Sequence, residues 1–137
     1  MRFPGSGLQG ALEYLLYKKI RTNIPSILFD AGDIETYITI DKSLFNVAGV
    51  FALRVTDDSM INAGIFEGDI ALINPHIVPK DGDIAVVLIM EKVIMKRFYK
   101  EKNRIRLVSD NKQIKHITLH TRYASIIGKV VGMLRKL

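Results

Sequence analysis

Short apolar runs separated by turn-forming residues characterise the chain from residue 37 onward. Each run is rich in Val, Ile and Phe, and clusters of Gly, Asp, Asn and Pro lie between the runs. Branched and aromatic side chains favour strands, while the intervening residues favour tight turns. The pattern predicts a compact, mostly antiparallel β domain with strands at 37–40, 51–55, 70–73, 84–89, 93–99, 105–108 and 126–134.

Two Gly-Asp pairs interrupt this pattern in the same way. Gly68-Asp69 and Gly82-Asp83 are fourteen residues apart, and each is followed by Ile-Ala. Glycine and aspartate suit tight turns, and the apolar residues that follow suit a buried strand. The two segments therefore predict two similar turns, each of which begins a strand.

The first third of the chain has a different pattern. Ser6-Gly7-Leu8-Gln9 matches a capping box, and Leu8, Leu12, Leu15 and Leu16 fall on one stripe of a helix. Basic residues follow in the last predicted turn, and Pro25 lies beyond it in an extended connection. We therefore predict an N-terminal helix or arm. The expected division of the chain is a helix with a cleavable or linking arm at 1–33, and the β domain at 34–137.

Composition narrows the class of protein. A chain of 137 residues has the length of one domain. The absence of cysteine excludes disulfides and thiolate chemistry. The longest apolar run, at 84–90, is too short to cross a bilayer, and residues 1–10 lack the apolar core of a signal peptide. These features predict a cytoplasmic protein without membrane contact.

The net charge of +6 is concentrated in the second part of the chain. Residues 59–137 hold fourteen Lys and Arg against seven Asp and Glu, whereas residues 1–58 hold six against seven. A basic surface favours nucleic acid or an acidic partner, but lysine-rich surfaces are also common without either role. A single predicted helix cannot form a helix-turn-helix, so direct DNA binding is not expected without an additional domain.

Lys96 has an unusual position within the predicted strand at 93–99. Alternation places Lys96 on the same face as the apolar Ile94 and Phe98. Burial lowers the pKa of a lysine, and the neutral amine that results can act as a general base. Alternatively, the side chain reaches solvent from an edge strand.

Ser59 lies just after the predicted strand at 51–55, within Thr56-Asp57-Asp58-Ser59-Met60. A nucleophile is well placed where a strand ends in a tight turn, because nearby backbone N–H groups can face an oxyanion. The same composition is also common in turns and helix caps. Taken alone, the segment leaves both interpretations open.

Together, the serine and lysine segments resemble one known family. Residues 51–60, with Ser59-Met60 at their end, and the Gly-Ile-Phe-Glu-Gly-Asp segment at 64–69 closely resemble the nucleophile region of LexA, UmuD and phage-repressor C-terminal domains. The family's lysine lies in a Val-x-Val-Lys-Arg/Lys strand, which resembles residues 93–97, and Lys96 follows Ser59 by 37 residues. The segments at 34–37, 41–45 and 81–87 also resemble family segments. The resemblance spans residues 34–135.

The resemblance implies a self-cleaving serine–lysine peptidase of the SOS response. Ser59 would be the nucleophile, Lys96 its base, and the backbone N–H groups of Asp58 and Ser59 the oxyanion donors. Members of the family cut their own N-terminal segment when a RecA filament on single-stranded DNA stimulates them. UmuD-like members are homodimers, and their trimmed form assists a translesion DNA polymerase. We expect no cofactor and no metal in this chain.

Two features depart from the family pattern. Ile24 lies 35 residues before Ser59, where the family's spacing places its Ala-Gly or Cys-Gly scissile bond. The Ala31-Gly32 pair, 28 residues before Ser59, is the candidate scissile bond, although it also suits a simple turn. The family commonly has glycine two residues before the serine, where this chain has Asp57.

Other functional interpretations remain beside self-cleavage. The same fold could serve only for dimerisation, as the C-terminal part of a LexA-like or phage-type repressor. Signal peptidases share serine–lysine chemistry, but this chain has no predicted membrane anchor. His116 and His120 have a spacing that suits a metal site on a helix, yet Ile117-Thr118-Leu119 between them favours a strand. We interpret these histidines as surface residues.

Overall fold

A computed structural model describes the backbone of residues 10–23 and 26–137. Within these ranges the chain forms eleven strands and three single-turn 3-10 helices. The strands are β1 (Ala11–Tyr17), β2 (Arg21–Asn23), β3 (Ser26–Leu28), β4 (Ile34–Asp41), β5 (Phe51–Arg54), β6 (Ile70–Asn74), β7 (Ile84–Ile89), β8 (Lys92–Glu101), β9 (Arg104–Val108), β10 (Ile117–His120) and β11 (Ala124–Leu134). The 3-10 helices are Ala31–Asp33, Ile61–Ala63 and Thr121–Tyr123. The predicted mostly β fold is confirmed.

One mixed sheet organises most of the described residues. Its nine strands lie in the order β10-β9-β8-β7-β11-β6-β5-β1-β4, and β2 pairs with β3 in a separate hairpin. Neighbours in the large sheet are antiparallel, except that β1 runs parallel to β5. The long strand β11 lies between β7 and β6 and pairs with both, so that it connects the two halves of the sheet. Each of the seven strands predicted from the sequence is present.

The N-terminal helix predicted to begin at Ser6 is wrong where the chain is described. Residues 11–17 form β1, which pairs with β4 on one side and β5 on the other. Tyr14 and Leu16 join one buried cluster, while Leu15 and Tyr17 pack in another. A strand buried on both faces is apolar at successive positions, so its sequence can resemble a helical stripe. The capping box at residues 6–9 lies outside the described residues.

The two Gly-Asp turns have matching geometry, as predicted. The Asp69 backbone N–H donates to the Phe66 carbonyl at 3.0 Å, and the Asp69 carboxylate accepts from the Phe66 N–H at 2.8 Å. Asp83 makes the same two contacts with Lys80, at 2.9 Å each. Glycine precedes the aspartate in both turns with a positive φ, 93° at Gly68 and 91° at Gly82, which favours a residue without Cβ. Strands β6 and β7 begin directly after these turns.

Candidate active site

Ser59 lies in a turn that follows β5. Backbone pairing continues for one residue past the strand, since the Val55 N–H donates to the Asp69 carbonyl at 2.8 Å. The chain then turns into the 3-10 helix Ile61–Ala63. Met60 is buried at 2% exposure and anchors the turn, and Ser59 itself is 3% exposed. The predicted position of Ser59, in a tight turn after a strand, is therefore confirmed.

Lys96 lies on β8, on the face predicted from alternation. Ala85 is its partner on β7, and Phe98, Ile105 and Leu107 form a buried cluster on that face. The lysine is 8% exposed, so the alternative in which its side chain reaches solvent is wrong. Burial lowers the pKa of Lys96, and the negative charge of Asp57 opposes part of that change. A larger fraction of the amine is therefore neutral at a given pH than for an exposed lysine.

The serine turn and the lysine strand meet next to these two side chains. The Ser59 hydroxyl donates to the Met95 carbonyl at 3.4 Å, and Met95 immediately precedes Lys96. The Lys96 amine donates instead to the Ser109 hydroxyl at 2.6 Å. A 3.4 Å contact is a weak hydrogen bond, so little energy holds the serine hydroxyl in this orientation. The structure thus brings the candidate nucleophile and the candidate base to neighbouring positions, while each side chain contacts a different partner.

The predicted oxyanion donor at Ser59 is already hydrogen-bonded. The Ser59 N–H donates to the Asp57 carboxylate at 3.0 Å. The Asp58 carbonyl accepts from the Asn111 amide at 3.1 Å and from the Ile61 N–H at 3.1 Å, which holds the turn in place. A carboxylate on an oxyanion donor occupies the position that a reacting carbonyl oxygen needs. Asp57, where the family pattern has glycine, thus occupies a backbone N–H that a glycine would leave free.

A small cavity of about 50 Å³ lies beside Ser59. Its walls come from the end of β5, the serine turn, β7 and β8. Thr56, Asp57 and Ser59 contribute polar groups, and Val86 and Val93 contribute apolar surface. A cavity of this size has room for water-sized groups and not for a peptide segment. A peptide would therefore have to approach across its mouth.

The candidate scissile pair forms a closed turn. Ala31 and Gly32 belong to the 3-10 helix Ala31–Asp33, in which the Asp30 carboxylate accepts from the Gly32 N–H at 2.7 Å. The buried Asp33 carboxylate accepts two hydrogen bonds from Arg21, at 2.6 and 3.1 Å. Neither Ala31 nor Gly32 lines the cavity beside Ser59. Ile24, the position expected from the family's spacing, lies outside the described residues.

The segment after β9 contacts both the serine turn and the lysine strand. Ser109 accepts from Lys96, and the Asp110 carboxylate accepts from Arg97 at 2.6 and 3.0 Å. The Asp110 carbonyl accepts from the Asn62 N–H at 2.7 Å, next to the serine turn. None of these contacts was predicted. Of these contacts, only that of Lys96 with Ser109 follows from the register of the β8–β9 hairpin, in which Arg97 lies opposite Val108.

Comparison with known proteins establishes the family. A family model described as peptidase S24-like matches residues 15–131, most of the chain. The chain belongs to this peptidase S24-like family. The resemblance found in the serine and lysine segments is thereby confirmed.

Curated relatives of this S24-like chain are named as repressors. The LexA repressor of Geotalea uraniireducens (strain Rf4) is 44% identical over 77% of this chain and 53% of its own length. LexA repressor 1 of Geobacter sulfurreducens is 40% identical, over 86% of this chain and 58% of its own length. A LexA repressor of Leptospira biflexa is 44% identical over 75% and 50%. The chain spans about half the length of these relatives.

The remaining candidates in this S24-like domain are the two histidines. His120 ends β10, and its Nδ1 accepts from the Arg122 N–H at 3.0 Å. His116 precedes β10, so the pair does not lie on a helix. In the described part of the chain, no group of three or more His, Asp or Glu side chains could hold a metal ion. No helix in the described ranges has the length and apolar character needed to cross a bilayer.

Proposed function

We propose that this chain is a self-cleaving serine–lysine endopeptidase, with Ser59 as nucleophile and Lys96 as general base. The observation that carries the proposal is the burial of Lys96 beside the serine turn in a chain of the S24-like family. An amine with a lowered pKa can accept a proton near neutral pH, which an exposed lysine does poorly. The LexA relatives favour a role in the SOS response.

The proposed reaction proceeds through an acyl-enzyme. The neutral Lys96 amine removes the hydroxyl proton of Ser59, and the serine oxygen adds to the carbonyl carbon of the scissile bond. Backbone N–H groups of Asp58 and Ser59 stabilise the oxyanion. The C–N bond then breaks as the Lys96 ammonium gives its proton to the leaving amine. Water, deprotonated by the same amine, hydrolyses the ester and restores Ser59.

The proposed substrate is the protein's own N-terminal arm, with Ala31–Gly32 as the candidate bond. Gly32 lies in a closed turn whose neighbour Asp33 is bound to Arg21, so cleavage there requires the turn to open and move to Ser59. A RecA filament on single-stranded DNA is the proposed activator of this movement. In a UmuD-like role, the trimmed homodimer would assist a translesion DNA polymerase.

A second function is favoured by the names and lengths of the relatives. Each is a LexA repressor about twice as long as its matched region, so the domain could serve as the dimerisation half of a LexA-like repressor. In that function the domain joins two copies of the protein and does not cleave. Direct contact with DNA would then need an additional domain.

Mass spectrometry after incubation at pH 7 and pH 10 tests the proposal. Wild type should yield a fragment pair, faster at pH 10, because the higher pH deprotonates Lys96. Ser59→Ala and Lys96→Ala should stay intact under the same conditions. The fragment masses identify the bond and separate Ala31–Gly32 from the other Ala-Gly pairs, Ala48–Gly49 and Ala63–Gly64. A wild-type chain that stays intact, also with RecA filament, would favour the dimerisation function.

A further inference from the structure

Three consecutive residues after β9 connect the two halves of the site. Ser109 contacts Lys96, the Asp110 carbonyl and carboxylate bind Asn62 and Arg97, and Asn111 donates to the Asp58 carbonyl at 3.1 Å. The Asp110 N–H also points to the Met60 sulfur at 3.4 Å. The segment 109–111 is therefore bound to the serine turn and to the lysine strand at once. Any side chain in it that contacts a reacting group is fixed relative to both.

Ser109 is the residue of this segment that reaches the base. Its hydroxyl lies 2.6 Å from the Lys96 nitrogen, and both residues are 8% exposed. A buried amine left without an acceptor is costly, and it would rotate toward any other acceptor nearby. A hydroxyl also carries no charge, so it can orient the amine without the strong preference for the ammonium form that a carboxylate would impose.

We propose that Ser109 is the positioning residue of the proposed peptidase, whose hydroxyl holds the Lys96 amine next to the Ser59 turn. This inference rests on the proposed function and extends it from two side chains to three. The hydrogen bond uses one N–H of the Lys96 amine. The other N–H and the lone pair of the neutral amine stay free to face Ser59. Ser109 itself does not touch the substrate and acts through Lys96.

The surroundings of the amine decide what the loss of Ser109 would do. Ala85 faces Lys96 from β7, and Leu107 and Ile105 on β9 contribute apolar surface. The carboxylate that acts on the amine is Asp57, from the serine turn. The carboxylate of Asp110, which follows Ser109, is held by Arg97. Without the Ser109 hydroxyl the ammonium loses an acceptor, so its protonated form becomes less favourable.

The test is the pH profile of self-cleavage in Ser109→Ala and Ser109→Thr. The alanine variant should cleave about tenfold more slowly at the high-pH plateau, because a bond that orients the base is lost. The midpoint of its profile should move to lower pH, because the ammonium is less stable. Threonine retains the hydroxyl and should restore both the rate and the midpoint. Ser125→Ala, an exposed serine on β11, is the matched control and should cleave like wild type.

Several outcomes would overturn the inference. An alanine variant whose rate at the high-pH plateau equals or exceeds that of wild type would show that Ser109 does not position the base. A lower rate with an unmoved midpoint and no rescue by threonine would reduce Ser109 to a packing residue.

A direct titration of Lys96 separates this inference from the proposed function. The Lys96 side-chain carbon is followed by NMR in Ser59→Ala with and without Ser109→Ala, so that no cleavage is needed. A lower Lys96 pKa in the double variant supports the contact even if wild type never cleaves. An unchanged pKa overturns it even if wild type does cleave.

Discussion

Asp57 acts on two groups of the proposed active site at once. Its carboxylate accepts from the Ser59 N–H, which is the proposed oxyanion donor, and its charge raises the pKa of Lys96 against the effect of burial. Both effects disfavour attack by Ser59, since one occupies a donor and the other favours the ammonium form of the base. In the proposed peptidase, this single side chain would restrain both nucleophile activation and transition-state stabilisation.

We expect Asp57→Ala to cleave itself about tenfold faster than wild type at pH 7. The substitution frees one oxyanion donor and increases the neutral fraction of the Lys96 amine. Asp57→Asn keeps an acceptor but loses the charge, so only the midpoint of its pH profile should move down. Asp41→Asn is the matched control, because Asp41 accepts from the Ser43 N–H at 2.8 Å in the same two-residue geometry. Slower cleavage of Asp57→Ala at every pH would show that Asp57 supports the turn. The measurement is the fragment yield with time.

At the scale of elements, the two Gly-Asp turns share their backbone geometry and differ in burial. The side chain of Asp69 is 3% exposed and accepts from Arg135 at 2.7 Å through both of its oxygens. The side chain of Asp83 is 23% exposed and lies 3.3 Å from the Lys129 amine. The pKa of each carboxyl is lowered, mainly by the hydrogen bond from Arg135 at Asp69 and by that from the Lys80 backbone at Asp83. The turn before β6 is therefore the more strongly held.

Asp69→Asn should lower the free energy of unfolding by about 2 kcal/mol, because it removes the charge that Arg135 binds in a buried site. Asp83→Asn should cost less than about 1 kcal/mol, since the Asp83 carboxylate is itself more exposed than that of Asp69. The lowered pKa of Asp69 stabilises the fold above the carboxyl's unfolded pKa, and that stability is lost as pH falls through the folded pKa. Urea unfolding at pH 7 and at pH 3 measures both effects. Equal costs for the two variants at pH 7 would contradict the difference in burial.

At the scale of the whole molecule, the strand β11 combines a central position with incomplete burial. It lies between β7 and β6, yet its residues from Lys129 to Leu134 are only half-buried, and Ile126 is 42% exposed. Exposed apolar side chains on a central strand indicate a surface that another protein surface covers. A second copy of the chain fits the homodimer that the family resemblance implies.

We expect sedimentation equilibrium to give a mass near twice the 15.5 kDa of the chain. Ile126→Glu should weaken the dimer, because it places a charge on the apolar surface of β11. Tyr37→Ser, which changes an exposed residue on the edge strand β4, is the control and should leave the mass unchanged. A monomer at all concentrations would contradict the homodimer. A dimer that Ile126→Glu leaves unchanged would place the interface elsewhere, and equal weakening by both variants would show that the effect is not specific to β11.

The sequence alone determined the features that depend on local periodicity and turn chemistry. The strands from residue 37 onward, the paired Gly-Asp turns and the apolar face of Lys96 follow from alternation and from the residues that turns require. The serine and lysine segments also identified the family. These features could be predicted because each depends on residues that are close together in the chain.

Only the tertiary structure decided the rest. Residues 11–17 form a strand because β4 and β5 pair with its two edges and buried clusters pack against both of its faces, which no local pattern could show. The contacts of Ser109 with Lys96 and of Asn111 with Asp58 depend on the register of β8 and β9 and on the path of the chain after β9. Contacts between residues distant in the chain form only when the strands that carry them are paired. The composition of a segment does not specify that pairing.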